Sequence, residues 1–200
     1  MKTRTQTAFT LVETLIATSI FSLMMAGLIS ITIFGMKQNE LAISKAGACE
    51  QARNAMNVIA NDIRASKVWQ IGNGGQGTFT PIPNGTAQQG NAIQVNLTTA
   101  TNTFILYYFD RTAATNNVLR RWHSGDANTT KLAQYLTNNM FFRAEDPRGN
   151  TQTNLTHKGV IHAYMEFCQY QYPLTFIGPG YYYDYYKTEL RITPHVPDGP

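Results

Sequence analysis

The chain has 200 residues, a formal net charge of +4 and two cysteines, Cys49 and Cys168. That length suits one ordinary domain with an appendage, and the basic residues are scattered, with Arg120 and Arg121 the densest pair, so no nucleic-acid partner is expected. Neither cysteine sits in a CxxC or Cys-His spacing, which removes zinc and redox motifs and leaves a single Cys49–Cys168 disulfide as the one pairing to weigh.

Residues 1–8 form a short basic leader carrying Lys2 and Arg4. From Phe9 to Met36 the chain reads FTLVETLIATSIFSLMMAGLISITIFGM, with Glu13 its only charge and no proline. The uncharged part from Thr14 to Met36, taken as a helix, spans about 35 Å against a hydrocarbon thickness of roughly 30 Å. The segment is long enough to cross a membrane. It is also too long for a secretory signal, whose apolar region runs to about 15 residues before a small-x-small cut. A plain anchor has no use for Glu13, because an ionised carboxylate in the bilayer costs about 2.5 kcal/mol or more. A cut between Ala8 and Phe9 would resolve this. The new α-amino group of Phe9 would lie one helical turn from Glu13, about 6 Å along the axis, and amine and carboxylate could offset each other's burial.

The stretch KTRTQTA followed by FTLVETLIA resembles the leader and processing motif of type IV prepilins and type II secretion pseudopilins. The resemblance implies a membrane-embedded prepilin peptidase that removes the leader on the cytoplasmic side and methylates Phe9. It also implies that Glu13 pairs with a neighbouring subunit's amine during assembly. Ala8 departs from the family's usual glycine before the cut, though a small side chain still suits a tight cleavage site.

Beyond Met36 the chain turns polar but keeps helical spacing. Ala42, Ala46, Cys49, Ala52, Met56, Ile59 and Ile63 predict an apolar stripe, with Lys45, Glu50, Arg53 and Arg64 off it. A nearly continuous helix from Phe9 to about Ser66 follows, its half over residues 9–36 a transmembrane and assembly segment and its half over 37–66 amphipathic. Met56 and Cys49 read as core packing.

Residues 67–200 read as a β-rich domain in which glycine- and asparagine-rich turns separate short alternating runs. Strands are predicted over Ala92–Thr98, Thr103–Phe109, Val118–Trp122, Met140–Ala144, Gly159–Tyr170 and Tyr185–Thr193. Their closeness in sequence favours an antiparallel sheet covered by the amphipathic half-helix, an α+β arrangement. The order of QARNAMNVIANDIRAS, NTFILYYFD, NVLRRWH and KLAQYLTNNMFFRA resembles the J-class minor pseudopilins and W-type minor pilins, which implies a pilin-like lollipop.

No catalytic or ligand constellation is present. His123, His157, His162 and His195 show no metal-ligand spacing, and there is no GxSxG, phosphate-binding glycine loop or DxDxDG calcium loop. Neither metal nor cofactor is expected. In GPGYYYDYYK the tyrosines Tyr181, Tyr182, Tyr183, Tyr185 and Tyr186 fit a filled sheet surface first and a partner-facing patch second. Cys168 alternates with Phe167 on the face of His162 and Glu166, which speaks against a bond to Cys49.

The sequence therefore leads to a non-enzymatic subunit at the tip of a type II secretion pseudopilus, anchored in the bacterial inner membrane. Its N-terminus would be cytoplasmic and its domain periplasmic, and other pilin-type subunits would be its partners. A minor subunit of a type IV pilus, serving adhesion, motility or DNA uptake, shares every feature. A membrane-anchored periplasmic enzyme is the competing class, which the missing catalytic residues oppose.

Overall fold

The computed structural model describes residues 10–98, 102–111, 117–138, 141–155, 159–168 and 185–194. One helix, α1 (Leu11–Ala65), precedes every strand. The chain divides into two compact units, Met1–Ala42 and Ile43–Pro200.

The first unit holds the apolar part of α1. It contains no proline, and its side chains stand exposed, Leu11, Ile20, Leu28 and Phe34 among them. Hydroxyls that would compete with the backbone elsewhere are turned inward here. Thr14, Thr18, Ser19, Ser22, Ser30 and Thr32 each donate to a carbonyl three or four residues earlier, at 2.8–3.0 Å.

In the second unit, the rest of α1 packs on an antiparallel sheet. The strands are β1 (Val68–Asn73), β2 (Thr80–Pro81), β3 (Gln89–Gly90), β4 (Ala92–Asn96) and β5 (Ile105–Asp110), followed by β6 (Asn117–His123), β7 (Thr130–Leu136), β8 (Phe142–Glu145), β9 (Val160–Cys168) and β10 (Tyr185–Ile192). Their order is β2-β1-β4-β5-β6-β7-β9-β8-β3, and β10 pairs with β9. The sheet curls until β3, at one end of this path, reaches β1, next to the other end. A Cβ on Gly90 would lie 2.1 Å from the Gly72 carbonyl, so only glycine fits there. Beside that contact, Asn91 N donates to Asn73 Oδ1 at 3.2 Å, and Gly74 N to Asn91 Oδ1 at 2.9 Å.

The α+β class and the antiparallel sheet agree with the sequence reading, and all six expected strands form. Four more were not expected: β1, β2, β3 and β7. The apolar stripe on α1 also needs correction at its start. Ser44 and Ala48 are buried, whereas Ala42 and Ala46 are exposed and Cys49 is half-buried. The buried positions are 44, 48 and 52, then 55, 56, 59, 60 and 63, so a line of every fourth residue widens into an ordinary helical face with steps of three and four. Ile59 and Ile63 lie deepest, against a core that includes Trp69, Tyr107, Phe142 and Phe167.

Polar groups fix two further points. The Tyr107 hydroxyl, wholly buried, donates to Asp62 on the last turns of α1; Arg121 Nε donates to Asp62 Oδ2 at 2.9 Å and to the Tyr107 oxygen at 3.2 Å. Burial and the Asp62 carboxylate together push the Tyr107 hydroxyl's pKa up. On β9, the strand partners part company: β7 pairs at Phe167 and β8 at residues 160–163. Asn138 bridges the opening, its Nδ2 donating to Tyr164 O at 2.9 Å and its Oδ1 accepting from Glu166 N at 3.1 Å.

Candidate functional site

Glu13 sits in the first turn of α1, where the helix still has unpaired N–H groups. Thr10 holds it from two sides. The Thr10 backbone N–H donates to Glu13 Oε2 at 2.8 Å and the Thr10 hydroxyl donates to the same oxygen at 2.9 Å, while Glu13 N–H donates to Thr10 Oγ1 at 3.3 Å. This is a capping box, Thr-x-x-Glu, in which two side chains satisfy each other's backbone donors. The sequence reading missed Thr10, although the TLVE spacing signals it. The expected cut between Ala8 and Phe9, and any bond from the Phe9 amine to Glu13, lie outside the described residues.

Around Glu13 the surface is hydrocarbon. The helix is long and apolar enough to cross a membrane, and its most apolar window is wholly unburied. Gly27 and Gly35 face open space, with no atom within 4 Å of a would-be Cβ. A carboxylate held at the start of an uncovered apolar helix can meet a cation only from outside that helix segment.

The tyrosine cluster is divided. Tyr181, Tyr182 and Tyr183 lie outside the described residues. Tyr185 and Tyr186 fall on opposite faces of β10, so these two do not form one patch. Tyr185 is 58% exposed and donates its hydroxyl to Glu166 Oε1 at 2.7 Å. Tyr186 turns toward the core, its ring 6.1 Å from that of Phe167. Burial first, and then its bond to the Cys49 thiol, raise the Tyr186 pKa.

Cys49 carries a free thiol, and the disulfide weighed between Cys49 and Cys168 rests on a second side chain that lies outside the described residues. The backbone of Cys168 pairs with Tyr185, one rung beyond the Tyr186–Phe167 pair that Cys49 adjoins. The Cys168 side chain is outside the described set.

One histidine is more than an isolated strand residue. His162 on β9 is buried, with Nδ1 2.9 Å from Glu145 Oε1 and Nε2 3.4 Å from Glu189 Oε2. Glu145 is the centre of this cluster. Its carboxylate is fully buried and accepts from Arg143 Nε at 2.8 Å and from Arg191 Nε at 2.9 Å. Burial opposes its ionisation, but the bonds from Arg191 and Arg143 and the charge of His162 prevail, holding the carboxyl below its ordinary value. Arg143, His162 and Arg191 occupy one register row across β8, β9 and β10. The cluster thereby ties three strands together.

Residues 3–29 match the family described as "Prokaryotic N-terminal methylation motif". The match takes in most of the leader, Phe9, Thr10, Glu13 and most of the apolar helix, and ends before the sheet begins. No curated protein and no solved structure matches the chain significantly. The motif implies processing by prepilin peptidase and assembly with other pilin subunits. Together with the uncovered apolar helix it is consistent with a membrane-anchored, single-pass protein. Placement in the type IV pilin and pseudopilin superfamily is what this N-terminal motif supports.

Proposed function

We propose that this chain is a minor pseudopilin, a non-enzymatic subunit of a type II secretion pseudopilus that is cleaved before Phe9, methylated there and packed into the filament through α1. The observation that carries this reading is the capped Glu13 at the start of an apolar helix with nothing covering it, inside the matched segment. Apolar area of that extent is stable only in lipid or against other helices, and small residues such as Gly27, Ser19, Ser22 and Ser30 let helices approach closely. Lys2 and Arg4 favour a cytoplasmic N-terminus, which would leave the sheet unit in the periplasm.

Mass spectrometry of the N-terminus of protein isolated from membranes tests the class. N-methyl-Phe9 is expected, and an intact Met1 would sink it. Deletion of the gene then separates the two systems. Loss of exoprotein secretion with surface pili retained supports the pseudopilin, and the reverse assigns a minor pilin of a type IV pilus. A hydrolytic or transfer activity abolished by one point change would overturn both.

A further inference from the structure

No further inference is drawn: the strongest candidate, the cleft of about 460 Å³ over β8, β9 and β10 where Arg143, His162, Lys187 and Glu189 meet, carries nothing because its charges already pair with one another and nothing in the structure shows what would occupy it.

Discussion

The two units use the same apolar side chains to opposite ends. Among the described residues of 43–200, most isoleucines, leucines and phenylalanines turn inward, the majority into the core around Ile59 and Ile63 and Leu106 into a smaller cluster with Phe79 and Phe104. In residues 11–42 they face outward, Leu23 at 75% and Ile31 at 69% exposure. A hydrophobic residue earns its stabilising effect from whatever replaces water around it. For the sheet unit that replacement is internal. For the helical unit it must come from lipid or other chains, and this is the unit that carries the family motif.

The sharpest way to break this contrast is to truncate a side chain in each unit. Ile59→Ala is expected to cost about 2–5 kcal/mol through lost burial and a residual cavity. Leu23→Ala should stay within about 0.5 kcal/mol, as at exposed sites. Denaturant unfolding in detergent, followed by Trp69 and Trp122 fluorescence, measures both; equal costs would erase the distinction. Next in size is Asp62→Ala, which deprives the buried Tyr107 hydroxyl and Arg121 of their acceptor and should cost about 1–3 kcal/mol. Asp62→Asn, which keeps an oxygen there, should cost less in the same assay.

Glu145 sharpens the contrast through pH. Its carboxyl is held below the ordinary value of 4.5, so its contribution is complete above that value and fades as the pH falls through the lower folded-state value. Acid melting curves should therefore show Glu145→Gln less stable than the parent at neutral pH, with the gap closing in acid. A constant gap would deny Glu145 this role.

Two smaller effects belong to the helical unit. Thr10→Val removes one side of the capping box, and amide exchange in the first turn of α1 should quicken about fivefold, the factor given by a cap of about 1 kcal/mol. Protection in the sheet unit should not change. Gly27→Ala adds a methyl where no neighbour stands and should raise helix stability of the single subunit by at most about 1 kcal/mol. Reduced incorporation into filaments, despite that gain, would place Gly27 at a helix–helix contact; undiminished incorporation would place it against lipid.

The sequence announced α1 almost to its ends, because only Glu13 and Lys37 carry charge over its first half and apolar residues recur at helical spacing over its second. Strands with clean alternation, such as Ile93 and Val95 in β4, were equally plain. Others were hidden for identifiable reasons. Two-residue strands like β2 and β3 are too short to show a period, and β7 is irregular: its register against β6 shifts, and Tyr135 takes a positive φ of 60°. Such a backbone breaks the two-residue rhythm that betrays a strand. At the N-terminus, Glu13 stands out by its charge, while Thr10 is hidden because a carboxylate in an apolar run points first to an amine and only then to the hydroxyl three residues before it. The cluster around Glu145 could not be read at all, since Arg191 reaches it only after three strands have aligned.

The inward-turned hydroxyls of α1 change what its neighbours encounter. Six serines and threonines of the first unit spend their O–H groups on the helix's own carbonyls. Counted as letters they are polar, yet as donors they are silent. A lipid chain or an adjacent helix therefore meets a surface of methyl, methylene and sulfur groups with shallow notches in it. The segment is greasier than its composition suggests, and the notches give it relief without stickiness, as the proposed passage from lipid into a filament would require.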